Sequence, residues 1–196
     1  VGGYKVNIYK NTKEATLLAN NYNKAECIEI PATINWGDET YTITSIGDNC
    51  YNGCGSITQI VLPSTVQSIG EGCFSDCSSL SSIILNSLVP PTCSGDIGLP
   101  SNATIGVPSD LVDTYKNDSY WGTFNIIDKK DAIPDIVIVN GLKYELDKNN
   151  LTATLLSNNY NRNGEFVVPE TLAYADYTYT ITALEDDCFR GCSSIE

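Results

Sequence analysis

TSIGDNCYNGCGSITQIVLPSTVQSIGEGCFSDCSSLSSIIL, residues 44–85, states one pattern twice. Ile46-Gly47-x-x-Cys50-Tyr51-x-x-Cys54-x-x-Ile57-x-x-Ile60-x-Leu62-Pro63 is followed by Ile69-Gly70-x-x-Cys73-Phe74-x-x-Cys77-x-x-Leu80-x-x-Ile83-x-Leu85. The offset is 69 − 46 = 23 residues, and it holds at each of those positions up to Leu85. Within each unit the apolar spacing changes. Ile-x-Leu has period two and reads as a strand, whereas Gly-x-x-Cys-aromatic-x-x-Cys sets two cysteines four apart, on one face of a short helical turn. Gly47 and Gly70 are read as the residues that permit the bend between the two. One such unit cannot bury its own apolar edge, so it must stack on the next.

A period of about 20 to 29 residues with apolar residues at fixed offsets is the signature of a leucine-rich repeat. The expected fold is a β-rich leucine-rich-repeat solenoid, a right-handed superhelix of short strands and helical turns. Flanking β-hairpins and a small α/β cap complete it.

Before the repeats the chain looks all-β. Val6 and Ile8, then Ala15 and Leu17, alternate with polar neighbours around Lys10-Asn11-Thr12-Lys13, which predicts a hairpin. Asn20 to Asn23 reads as a turn, and Cys27 to Pro31 as a short strand closed by proline. Ile34-Asn35-Trp36 and Thr40 to Ile43 flank Gly37-Asp38-Glu39 as a second hairpin. After Leu85 the pattern loosens into an irregular loop from Val89 to Pro100. Thr104 to Pro108 is a further strand, and Ser109 is placed to cap a helix from Asp110 to Lys116 with Leu111, Val112 and Tyr115 as its apolar stripe. Tyr120, Trp121 and Phe124 add apolar area, and Ile126-Ile127 is a last strand. This block reads as the cap over the open end of the stack.

The chain then starts again. Gly141 to Ile195 aligns with Gly3 to Ile57 without a gap, at an offset of 141 − 3 = 138. Ala15-Thr16-Leu17-Leu18 recurs as Ala153-Thr154-Leu155-Leu156, and Cys50 and Cys54 recur as Cys188 and Cys192. The expected organisation is a first module over 1–130, with leading hairpins at 1–45, repeats at 46–86 and loop and cap at 87–127. A linker follows at 131–140, and 141–196 opens a second module that stops inside a repeat. The parent protein is therefore expected to continue.

The pattern resembles the BspA-like leucine-rich repeats, whose unit reads roughly Leu-x-x-Ile-x-Leu-Pro-x-x-Val-x-x-Ile-Gly-x-x-Ala-Phe-x-x-Cys. Ile57-x-x-Ile60-x-Leu62-Pro63-x-x-Val66-x-x-Ile69-Gly70-x-x-Cys73-Phe74-x-x-Cys77 matches it almost throughout. Cysteine stands at 50, 73 and 188 where the family usually has alanine. Val107-Pro108 through Tyr115-Lys116 and Trp121 is similar to the family's closing segment. The resemblance implies a cell-surface protein of the kind common in Bacteroidetes, secreted and built from tandem repeats, whose members are adhesins and binders of host matrix.

Composition bounds the chemistry. The net charge of −13 argues against nucleic acid and against anionic membranes. No apolar run approaches the roughly 20 residues of a membrane span. Histidine is absent, which removes the commonest general base and the commonest metal ligand together. Cys50, Cys54, Cys73 and Cys77 have the outline of a zinc site, but they arise from the repeat. An interior row of thiols is the reading that stacking favours, with bridges between repeats and a metal site as the alternatives. Paired carboxylates such as Asp186 and Asp187, or Glu26 and Glu29, read as solvated acids rather than a glycosidase pair. No catalytic residue, cofactor or metal is expected.

Binding follows from strand geometry. If Ile60 and Leu62 point inward, Gln59 and Val61 face the other side. Their equivalents are Glu29 before, Ser82 and Ile84 in the next repeat, and Thr104 and Gly106 after the loop. These residues are expected to form an exposed strand face that binds host or extracellular-matrix protein, or glycan. The competing roles are a structural spacer in a tandem-repeat surface protein and, as a minor alternative, a secreted enzyme that works without histidine.

Overall fold

The computed structural model describes residues 4–19, 27–157 and 167–189. The expected turn at Asn20–Asn23 and the residues Glu26, Cys192 and Ile195 lie outside them. The chain divides into two compact units, Val1–Ala132 and Ile133–Glu196.

The first unit holds two sheets. One contains β1 (Lys5–Tyr9), β2 (Glu14–Leu18), β4 (Thr33–Trp36), β5 (Glu39–Ile46), β7 (Ser68–Ile69) and β9 (Thr92–Cys93). Its order is β1-β2-β5-β7-β9, with β4 beside β5. Both expected hairpins are present, β1 against β2 and β4 against β5. The other sheet is parallel throughout: β3 (Cys27–Glu29), β6 (Gln59–Leu62), β8 (Ser82–Leu85), β10 (Thr104–Val107) and β11 (Asn125–Asp128). The 23-residue offset becomes register: Ile60 lies opposite Ile83, Leu62 opposite Leu85, and Ile46 opposite Ile69.

The inward row is apolar and continuous. Ile60, Leu62, Ile83, Leu85, Ile105 and Val107 belong to one buried core with Tyr41, Tyr51, Phe74, Tyr115 and Trp121. Cys50, Cys54, Cys73 and Cys77 are buried in it as thiols, none joined in a disulfide, with Tyr51 and Phe74 stacked at 6.0 Å between ring centroids. Burial pushes the Cys50 and Cys73 thiols well up, and raises Cys77 to about 11. A buried thiol has no water to stabilise its anion, so it packs as a small apolar group.

The segment joining the sheets is not the expected helical turn. Residues 48–53 and 71–76 are turns. Asn49, Tyr51 and Gly53 donate their N–H to Glu71, Cys73 and Ser75, one repeat further on. The groups between bond three residues back, as Asn52 does to Asn49 and Cys54 to Tyr51. Half of the donors that a helix needs are thus committed to the neighbouring repeat. The glycine at 70 also acts differently from the expectation. It carries no positive φ; a Cβ there would fall 2.4 Å from the Asp48 backbone nitrogen.

The α-helical part of the cap is shorter than expected. Ser109–Leu111 is a 3-10 turn and α1 is only Val112–Lys116, with no side-chain cap bond from Ser109. Pro108 fixes an extended approach, and Leu111 and Val112 still lie against the core. Trp121 is fully buried and its Nε1 donates to the Pro91 carbonyl at 2.8 Å.

The segment 131–140, expected as a linker, holds the boundary between the two units and carries secondary structure of its own. It contains the end of α2 (Lys129–Ala132) and β12 (Ile136–Val139). The second unit orders its strands β12-β13-β14-β16-β15, with β13 (Leu142–Asp147), β14 (Thr152–Leu155), β15 (Thr171–Tyr174) and β16 (Tyr177–Leu184). Subtracting 138 maps β13, β14, β15 and β16 onto β1, β2, β4 and β5. Even the irregularity recurs: pairing shifts between Ala15 and Thr16, and between Ala153 and Thr154.

Candidate functional site

The parallel sheet brings the predicted face together as two rows. Gln59, Ser82 and Thr104 lie side by side, and Glu29, Val61 and Ile84 form the next row. The polar row is cross-linked. Gln59 Nε2 donates to Ser82 Oγ at 3.2 Å, and Cys27 Sγ donates to Gln59 Oε1 at 3.7 Å.

The face is nevertheless not open to solvent, which corrects the sequence expectation. Gln59 is 2% exposed, Val61 1% and Ile84 0%. Ser82 and Thr104 are half-buried, and Glu29 alone of the six is exposed. After β11 the chain turns back as α2, which packs on β8, β10 and β11. Gln59 Nε2 also donates to the Ala132 carbonyl at 3.0 Å, and Lys129 Nζ donates to Asn86 Oδ1 at 2.9 Å. Gly106 makes the approach possible: a Cβ there would meet Ala132 Cβ at 2.5 Å and Lys129 Cα at 3.0 Å. Two signals in the sequence point to this. Ile60-Val61-Leu62 and Ile83-Ile84-Leu85 are unbroken apolar runs, as strands covered on both faces require. A glycine inside a strand marks a close backbone approach.

Other surfaces carry the exposed apolar groups. Leu88 and Val89 are 72% and 74% exposed, side by side in the loop after β8. The loop is held at both ends. Ser87 Oγ donates to the Val66 carbonyl at 2.8 Å, Tyr115 OH donates to the Ser87 carbonyl at 2.9 Å, and Trp121 Nε1 binds the Pro91 carbonyl. Pro90 and Pro91 remove backbone freedom between those anchors.

A second cluster sits where β5 begins. Lys13 pairs with Glu39, Tyr41 OH donates to the same carboxylate, and Lys13 Nζ stands 5.4 Å from the Tyr41 ring centroid. The hydrogen bond from Lys13 and then that from Tyr41 hold the Glu39 carboxyl below its ordinary value. Trp36 lies directly across from Glu39 in the β4–β5 ladder and is 53% exposed. A hollow of ≈ 480 Å³ opens at the adjoining turn, lined by Tyr9, Lys10, Asn11, Thr12 and Glu14. Sequence reasoning passed over Trp36 as a hairpin residue. Its signal was a large aromatic beside a turn, with polar neighbours on both strands.

Among the described residues no group of three or more histidine, cysteine, aspartate or glutamate side chains could hold a metal ion. No helix among them is long and apolar enough to cross a membrane.

Parallel strands stacked at offsets of 23, 22 and 21 residues, Gln59 on Ser82, Ser82 on Thr104 and Thr104 on Asn125, define a leucine-rich-repeat fold. Residues 44–92 match the family model described as a BspA type leucine rich repeat region of six copies. Three solved structures are similar to the chain. A leucine-rich repeat protein from Bacteroides capillosus is 22% identical, with 55% of this chain and 95% of that one covered and a TM-score of 0.43. One from Bacteroides ovatus is 18% identical, covering 94% and 52%, with a TM-score of 0.41. A leucine rich cell surface protein from Faecalibacterium prausnitzii is 14% identical, covering 88% and 64%, with a TM-score of 0.32. No curated protein matches the chain.

Proposed function

We propose that the chain is a non-catalytic, extracellular recognition module of a cell-surface protein, built as a solenoid, which binds a host or matrix protein. The observation that carries this reading is the clamped loop bearing Leu88 and Val89. Two adjacent large apolar side chains face water on a backbone fixed by buried tyrosine and tryptophan hydrogen bonds. A loop that is already ordered loses little conformational freedom when it docks, so more of its contact energy appears as affinity. The BspA-type repeat region supports a surface role. The mechanism is area and shape, with no bond made or broken. The covered face of Gln59, Val61 and Ile84 is scaffold in this reading.

The test is surface plasmon resonance against immobilised fibronectin, laminin, fibrinogen and collagen. Saturable binding that falls at least tenfold in the Leu88→Asp/Val89→Asp variant, with its melting curve unchanged, supports the reading. Binding to none of them, or binding indifferent to that variant, removes it.

One observation favours a spacer role instead. The 138-residue recurrence reproduces strand order and even the pairing irregularity, which suits an array that projects another domain. Small-angle scattering of two-module and four-module chains separates the roles, because a spacer lengthens in proportion to module number and needs no ligand.

A further inference from the structure

We infer that the rim formed by Trp36, Glu39 and Lys13 is a binding site for a neutral sugar ring. The site goes beyond the protein-recognition reading and does not depend on it.

The internal recurrence makes the case. Positions 13, 36, 39 and 41 become 151, 174, 177 and 179 in the second unit, which has the same strands in the same order. There they are Leu151, Tyr174, Tyr177 and Tyr179. Tyr174 is 1% exposed, Tyr177 and Tyr179 meet edge to face at 6.3 Å, and the buried Tyr179 hydroxyl has no hydrogen-bond partner. That version is a packed aromatic cluster. In the first unit three of the four side chains differ and the tyrosine at 41 is kept, and the tryptophan is left facing water beside a paired carboxylate and ammonium. Scaffold alone asks for none of this, since the apolar version folds on the same strands.

The chemistry of the rim selects its ligand. An exposed indole offers a flat apolar face of the size of a pyranose C–H face. Trp36 and Glu39 are directly opposed in the ladder, so their Cβ atoms stand about 5 Å apart. A ring stacked on the indole thus presents its hydroxyls to the Glu39 carboxylate, which accepts, and to the Lys13 ammonium, which donates. Glu39 and Lys13 neutralise each other. A guanidinium or ammonium ligand would meet the Lys13 charge, and an anionic one would meet Glu39, whereas vicinal hydroxyls satisfy both. The hollow at Tyr9 to Glu14 adjoins Lys13 and gives room for a second ring.

The chain has two tryptophans, and Trp121 is fully buried. Ligand-dependent emission and its protection from acrylamide therefore report on Trp36. The full chain is titrated with cellohexaose, xylohexaose, maltohexaose, mannohexaose and lacto-N-tetraose, and in separate arms with hexa-arginine and heparin hexasaccharide. The expected result is saturable protection by at least one neutral sugar. Trp36→Phe retains that affinity within a few-fold, Trp36→Ala loses tenfold or more by calorimetry, and Glu39→Gln with Lys13→Gln also weakens it. Protection by none of the neutral sugars overturns the inference, as does response to hexa-arginine or heparin alone. So does a Trp36→Ala variant that melts and binds like the parent. None of these outcomes touches the Leu88 and Val89 experiment.

Discussion

Gly106→Ala adds one methyl group at the point where α2 crosses the parallel sheet, and the consequence can be worked out. The new carbon falls 2.5 Å from Ala132 Cβ and 3.0 Å from Lys129 Cα, both in the covering turn, and 3.4 Å from Ile84 Cγ1. The first contact is more than 1 Å inside van der Waals separation, and the second involves backbone that cannot rotate away. Either α2 lifts or β10 bends. Overpacking of this kind costs about 1–3 kcal/mol. Taking about 2 kcal/mol, a unit of this size loses roughly 6–10 °C in melting temperature. Ala132→Gly removes the worst contact. Alone it costs up to about 1 kcal/mol through helix propensity, but combined with Gly106→Ala it should return more than it takes. Thermal or urea unfolding of the four proteins gives the coupling, expected at about 1–2 kcal/mol in the rescuing direction. Rescue remains partial because Lys129 Cα still stands 3.0 Å away. Additive effects, or a Gly106→Ala variant as stable as the parent, would refute the claim that α2 covers this face.

Further outcomes follow from other contacts. Burial raises the thiols of Cys77 to about 11 and Cys93 to about 12 from an ordinary 9.0. Because the folded values lie above the unfolded one, the stability these groups contribute is complete below about pH 9 and is lost as pH rises through 11 to 12. Alkaline unfolding in that window, with thiol reagent uptake that is slow at pH 8 until denaturant is added, checks this. Trp121→Phe should cost about 2 kcal/mol, because it leaves the buried Pro91 carbonyl without its donor and opens a small void; a melt within 2 °C of the parent contradicts it. Ala175 has φ +52 at the turn where the first unit has Gly37 at +64, so Ala175→Gly should stabilise by about 1 kcal/mol in denaturant titration.

Much of this architecture could be read in advance, and the reason is register. An offset of 23 can only be satisfied if Ile60 meets Ile83 and Leu62 meets Leu85, so the parallel sheet was implied by counting. The offset of 138 likewise carried the β1-β2-β5-β4 arrangement into the second unit. What counting cannot supply is the course of a segment that does not repeat. Residues 129–132 occur once, and their place over Gly106 depends on contacts 23 to 73 residues away. The candidate face was legible as a row and illegible as a surface. Alternation says which residues oppose the core, not whether a later part of the chain lies on them. The unbroken runs at 60–62 and 83–85 carried that information. The turns at 48–53 and 71–76 were misread for a related reason: cysteines four apart satisfy a helix, but the donors of Asn49, Tyr51 and Gly53 had a neighbouring repeat to bond.

The bonds from Asn49, Tyr51 and Gly53 all span from one repeat to its neighbour, along the direction in which the repeats stack. Tension applied along that direction loads them in series, as the teeth of a zipper are loaded, rather than side by side. The first unit should therefore yield under pulling one repeat at a time, at forces well below those needed to shear a sheet across its strands. The step that separates Ile60 from Ile83 frees 23 residues, roughly 80 Å of extended chain.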